Sequence, residues 1–219
     1  MSASPLNMDL SLRSIFIPYT IGTLRKYLDV TEAQMEECFH LERNTLETEA
    51  PTDMDEEIHD EHLREHRDLK NLYDLELRPS LRYSFLMLLH IVFETQLRVL
   101  CNDIKSQRGL PIAMKDLRGS AIDQALAFLT KLADLSVQNL PEWEQLRTLQ
   151  KIRDCIVHCH GHVDDSRDRN FLRELAGKGV GVSIDGPDNR LWVTNQFCEE
   201  QLTNLDRLFE RLFKAAGWS

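Results

Sequence analysis

Twelve consecutive residues concentrate the reactive side chains of this chain: Lys151-Ile152-Arg153-Asp154-Cys155-Ile156-Val157-His158-Cys159-His160-Gly161-His162. Imidazole exchanges protons near neutral pH, and guanidinium presents a planar fork that matches a phosphate or a carboxylate. At about 100° per residue, Arg153 and His158 stand roughly 140° apart around a helix, so Arg153 has to reach, or be met across a subunit seam. Asp154 and His158 are i, i+4 neighbours, a spacing that lets the carboxylate orient an imidazolium at His158 and raise its pKa. A second chemistry competes for the same residues. Cys155, His158, Cys159 and His162 fall at i, i+3, i+4 and i+7, offering two thiols and two imidazoles to a metal ion. One straight helix wraps a tetrahedral ion poorly, and Gly161 should end the helix before His162, so this set is the minor alternative to a site without metal. A third reading is structural: Arg153 and Asp154 form a surface ion pair, while His158 and His160 satisfy the last carbonyls and the helix dipole.

Other candidates lie outside this run. His62-Leu63-Arg64-Glu65-His66 matches H-x-x-E-H, an inverted zinc-protease pattern, but it sits in a strongly polar segment with no apolar periodicity to enclose a site. We expect a solvated helix face there. Gly177-Lys178-Gly179-Val180-Gly181 precedes a candidate strand rather than a helix, so it is not a phosphate loop. Glu94, on an otherwise apolar helix, is placed to pair with Arg153, with Arg98 at i+4, or with both. Trp143, Trp192 and Trp218 suit core or terminal positions better than base stacking.

The elements that must position these groups are mostly helical. Leu10 to Val30 has apolar residues near helical spacing, but Pro18 and Gly22 predict a helix in pieces. A new helix is expected from Thr31, as N-cap, to Ala50-Pro51. Another should follow from a Thr52 cap, with Asp53 and Asp55 in its first turn, until Arg78-Pro79 stops it near Leu77. From Ser80 to Gly109 a helix apolar nearly all round, with Leu86, Leu89, Phe93 and Leu97, must be central to the core. Asp116 to Leu135 reads as its amphipathic partner. Pro141 opens the helix that carries the reactive run, which ends at Gly161. A short helical piece around Phe171 to Ala176 precedes strands Gly179 to Ile184 and Leu191 to Val193, joined by a five-residue turn. Thr194 caps the last helix, Gln196 to Ala216.

Composition bounds the function classes. With 219 residues, 42% hydrophobic and only 9 Gly and 7 Pro, the chain is globular and neither disordered nor collagen-like. Acidic residues number 36 against 26 basic; between Glu32 and Leu77 there are 16 acidic and 4 basic, which leaves 22 basic and 20 acidic elsewhere. The acidic excess is thus confined to one segment, read as a solvated helical arm, and the remainder can attract a polyanion. The apolar stretch Tyr83 to Phe93 falls short of a membrane span, so no membrane association is expected. The absence of a readable export signal and five scattered cysteines point to reduced thiols and the cytoplasm.

The R-x4-H spacing of Arg153 and His158, with polar Asp154 directly after the Arg, sits at the end of a helix and beside the Tyr83-to-Leu89 helix that runs on to Glu94. In this arrangement Ser80 to Ala216 resembles the HEPN superfamily of all-helical domains. The resemblance implies a mainly α, HEPN-like bundle over residues 80–219, with an acidic helical N-terminal extension over residues 1–79 and a small C-terminal β-hairpin. It implies a homodimer whose two motif helices, Trp143 to Cys159, face each other. By that likeness the chain is a metal-independent endoribonuclease without cofactor, with catalytic Arg153, His158 and Asp154. Glu94, His160 and Lys151 support them, and Arg147, Arg167 and Arg169 bind RNA. The setting implied is a toxin, anti-phage or stress effector with an antitoxin or regulatory partner. The alternative is a catalytically silent interaction module, which the overall acidity favours. One subgroup carries a modifiable Tyr two positions after the His; here that position is His160.

Overall fold

The computed structural model describes residues 5–49 and 56–218. The chain is mainly helical. Helix α1 (Pro5–Glu49) is followed by α2 (Glu56–Asn71), a π turn (Leu72–Leu77) and α3 (Arg78–Arg108). Then come α4 (Ala121–Ala127) with a second π turn (Phe128–Leu132), α5 (Glu142–Cys159), α6 (Arg169–Gly177), strands β1 (Val182–Asp185) and β2 (Arg190–Val193), and α7 (Asn195–Ala216).

One hydrophobic core joins the helices. Phe85, Leu86, Leu89, Phe93, Leu97 and Leu100 of α3 are buried against Ile17, Ile21, Leu24 and Leu28 of α1, with Trp143, Leu149 and Ile152 of α5 and Leu202, Leu205 and Phe209 of α7. The same 52-residue helical run, Glu57–Arg108, contains an 18-residue window of mean hydropathy 1.4, apolar enough by length and composition alone to cross a membrane; 44% of that window is buried inside the protein. α3 is not enclosed on every side, as its sequence suggests. Leu88 and Ile91 face outward, Ile91 with 57% of its surface exposed.

Three helix boundaries differ from expectation. Pro18 lies inside α1 and does not break it, because the residues at helical spacing after it, Ile21, Leu24 and Leu28, are held in the core. Thr31 is not a cap; its hydroxyl donates back to the carbonyls of Tyr27 and Leu28 within the same helix. Pro79 does not stop the second helix. The preceding π turn, in which the Arg78 N–H reaches the Tyr73 carbonyl, widens the spiral, and Pro79 falls in the first turn of α3, where a missing N–H costs little. The Ala50-Pro51 stop and the Thr52 cap lie outside the described residues. A fourth boundary moves as well: the helix expected from Asp116 starts at Ala121, capped by Ser120, whose hydroxyl accepts from the Asp123 N–H.

The acidic segment is an antiparallel pair of helices. Glu32 holds Arg82 through two contacts of 2.7 and 3.1 Å, Glu36 accepts from Arg78 at 2.6 Å, and Glu42 accepts from the Tyr73 hydroxyl at 2.6 Å. These rungs run in fixed register away from the core, with Phe39 beside Tyr73 and under Arg78. A division at residue 79 falls within the helical run from Glu57 to Arg108, and Ile17, Ile21, Leu24 and Leu28 of α1 belong to the common core.

The C-terminal hairpin forms as the sequence indicates, pairing Val182 with Val193 and Asp185 with Arg190. It also fastens the reactive run. The Leu191 N–H donates to the Gly161 carbonyl at 2.8 Å, and the Val163 N–H donates to the Asn189 carbonyl at 3.1 Å.

Candidate functional site

Helix α5 ends as a glycine-type stop with histidine in the turning position. His160 adopts a left-handed conformation (φ 52°) and Gly161 a second positive φ of 84°. The His160 and Gly161 N–H groups both return to the Cys155 carbonyl, so the last turn is closed from within. Gly161 has a second constraint. Its Cα faces the Tyr83 hydroxyl so closely that any added Cβ would collide with it, while that hydroxyl donates to the Leu191 carbonyl. Burial pushes the Tyr83 phenol up to about 12, so it stays a donor.

On this platform the structure brings together part of the predicted set. Arg153 donates to one oxygen of Asp154 at 2.8 Å, and Arg167 donates to the other at 2.6 Å. Asp154 is nearly covered, its side chain 13% exposed. Arg167 also contacts Asp168 at 3.3 Å, and Asp168 faces Lys151 at 3.6 Å, whose ammonium lies 3.8 Å over the Phe171 ring. The result is an alternating chain of charges: Arg153, Asp154, Arg167, Asp168, Lys151. Its members Asp154, Arg167, Asp168 and Lys151 line a shallow groove on α5 together with Arg147, which is held by Glu144 and Asp123, while Arg153 lies outside that groove.

Two expectations fail on this geometry. Asp154 does not orient His158, because both of its oxygens are taken by arginines. His158 is exposed on the last turn of α5 and has no hydrogen-bond or ion-pair partner among the described residues. Glu94 pairs with neither Arg153 nor Arg98; its carboxylate lies 3.9 Å from the imidazole of His90 at i−4. His160 serves as the turning residue and is exposed, and Arg169 is exposed without an ion pair among the described residues.

The cysteine and histidine quartet does not converge. Cys155 is fully buried, its sulfur 3.8 Å from the His162 carbonyl, and burial pushes its thiol up to about 11, away from the thiolate that binds metals. His162 turns instead to the Asp188 carbonyl at 3.3 Å and pairs with Arg190 in an isolated β-bridge. Among the described residues no three His, Cys, Asp or Glu side chains gather to hold a metal.

His90 is the group that sequence reasoning passed over. It lies on the α3 face that packs on α5, is 3% exposed, and its Nε2 has no hydrogen-bond partner. Burial lowers its pKa; the Glu94 and Asp154 carboxylates oppose that and Arg153 reinforces it. In the sequence it interrupts an apolar run, Leu88-Leu89-His90-Ile91-Val92, at a core position, which is the available signal. Its neighbours in space, Arg153 and Asp154, are more than sixty positions away and cannot be read from local spacing.

Comparison with protein-family models, with curated proteins and with solved structures finds no match to this chain.

Proposed function

We propose that the chain is a HEPN-type endoribonuclease that cleaves RNA without a metal, acting as a homodimer across the exposed side of α5. The observation that supports this best is the pairing of a solvent-exposed, unpartnered His158 with an Arg153 held in place five residues earlier on the same helix. In the dimer one His158 takes the proton from the 2'-OH, which attacks the adjacent phosphorus, and the other gives a proton to the departing 5'-oxygen. Arg153 neutralises the charge that gathers on the phosphorane oxygens. The products are a 2',3'-cyclic phosphate and a 5'-hydroxyl. Asp154 is a positioning residue, fixing Arg153 from one oxygen while Arg167 fixes Asp154 from the other. Exposed Val157 on α5 and exposed Leu88 and Ile91 on α3 supply apolar surface for the dimer. A cytoplasmic toxin, anti-phage or stress effector with a regulatory partner is the setting this activity fits.

A second reading has its own observation. Arg147, Lys151 and Arg167 are all paired to carboxylates, so three cations and the three acids Asp123, Asp154 and Asp168 leave the groove without net charge. RNA binding depends on uncompensated cations; a silent interaction module does not. The experiment incubates wild type and His158→Ala with structured RNA in EDTA, resolving products by size and end chemistry. Cleavage by wild type alone, leaving cyclic phosphate ends, supports the nuclease. A well-folded wild type that leaves RNA intact overturns it in favour of the interaction module.

A further inference from the structure

The H-x-x-E-H run of the arm takes no part in the proposed chemistry, yet its geometry is specific. α2 places His62 and His66 one turn apart on one face, with their Nε2 atoms 3.0 Å from each other. The two rings meet edge to face, 4.5 Å between centroids and 86° between planes, and their Nε2 atoms share one hydrogen bond, whose proton a bound metal ion would replace. Two imidazole nitrogens bound to one zinc ion at about 2.0–2.1 Å, subtending roughly 90° to 110°, stand about 2.9–3.4 Å apart. The observed separation lies within that bite. His62 is sheltered, its side chain 18% exposed, and the Glu65 carboxylate lies 4.0 Å from its Nδ1. A carboxylate on that side favours the proton on Nδ1 and leaves the Nε2 lone pair for the ion. The helix is already formed, so binding orders little beyond two side chains. The strong negative charge of the surrounding segment draws divalent cations toward it.

We propose that His62 and His66 form a chelating site for a divalent late first-row transition metal ion, zinc or nickel, bound through both Nε2 atoms with water in the other positions. Imidazole prefers this class of ion over calcium or magnesium, which take oxygen ligands. Glu65 is a positioning residue and not a ligand. The bound ion ties two successive turns of α2 together and stabilises the outer half of the arm.

The test titrates the full-length protein, stripped with EDTA and desalted, with zinc chloride and separately with nickel chloride in a calorimeter. Wild type should take up one equivalent at this site. His62→Gln and His66→Gln should each weaken binding by more than about tenfold, with circular dichroism confirming unchanged helix content. The double variant His158→Gln/Cys159→Ser, which removes an imidazole and a thiol from the end of α5, should bind as wild type does. Zinc should raise the melting temperature of wild type and not of His62→Gln. The proposal is overturned if wild type shows no saturable uptake up to about 1 mM ion, if binding survives in His62→Gln and His66→Gln, or if it is lost in the double variant. Magnesium chloride in place of zinc should give no heat of binding; an equal response would mean general attraction to acidic charge.

Discussion

His90 shows what a single buried imidazole does to a helical core. Its Nε2 is shielded and unpaired, so the neutral ring is tolerated and the charged ring is not. The unfolded chain therefore binds its proton first, and stability should fall as pH drops below the ordinary histidine value of 6.5. His90→Phe keeps a ring in the same space beside Phe93 while removing the orphan nitrogen. The variant should be as stable as wild type or up to about 1 kcal/mol more stable at pH 7.5, and should lose less stability on going to pH 5.5. Urea midpoints at the two pH values decide this; equal losses in both proteins would assign the pH dependence to other groups. Gly161 argues in the opposite direction. A Cβ there combines a positive φ with a collision against Tyr83, so Gly161→Ala should cost about 2–4 kcal/mol, seen as a large drop in the urea midpoint. His160 carries the same backbone strain without the collision, and His160→Gly should be neutral or stabilising by up to about 1 kcal/mol. The site was legible in the sequence to the extent that one helix carries it: Arg153, Asp154 and His158 are where their spacing puts them. Of the two partners of Asp154, Arg153 was legible as an ion pair and Arg167 was not, because Arg167 is thirteen residues on and beyond a turn, and nothing local ranks it above His158 as a neighbour.

At the scale of the element, two threonines with the same local signature behave differently. Thr31 and Thr194 both precede residues that suit a helix. Thr194 is a true cap, in an extended conformation with its hydroxyl accepting from the Phe197 N–H at 3.2 Å. Thr31 lies in mid-helix and bonds backward. Alanine should therefore shift stability in opposite directions: Thr194→Ala lowers it by about 1 kcal/mol, whereas Thr31→Ala raises it by a few tenths, since alanine is the better interior residue. Thermal melts of the two variants check the signs, and a loss at both positions would mean that α1 starts afresh at Thr31. The sequence pattern located α5, the hairpin and α7 within a few residues because each has its own start and stop signals. It missed the continuity of α1 and of α2 with α3 because Pro18 and Pro79 are local breakers. What outweighs them is not local: Ile17, Ile21, Leu24 and Leu28 reach the core, and a π turn makes room ahead of Pro79.

For the whole molecule, the question is where the acidic arm ends and the bundle begins. Charge places the division near residue 79, but packing places it inside α1, since four core side chains come from Ile17 to Leu28 while the rungs from Glu32 to Glu42 lead outward. Two truncations separate these views. Removing residues 1–78 strips Leu28 and its neighbours from α3 and α7 and exposes their apolar faces; at about 1.5–3 kcal/mol for each buried aliphatic side chain, losing four costs about 6–12 kcal/mol, comparable to the whole stability of an ordinary domain. That fragment should be aggregated or molten. Excising residues 43–71 and closing the gap with a short glycine-serine turn keeps the Glu42–Tyr73 rung and all of the core. It should give a cooperative melt close to that of the full chain, although it removes 10 acidic and 4 basic residues and so brings the net charge from -10 to -4. A fragment of residues 79–219 that melts cooperatively would restore the boundary that charge suggests. The excised protein also carries a functional consequence at this scale. If the arm repels polyanions, RNA association with the excised form should be faster at low salt, and the difference should vanish as the Debye length shrinks to about 3 Å near 1 M salt. A change that persists at high salt would mean that the arm acts by covering the α5 face rather than by its field.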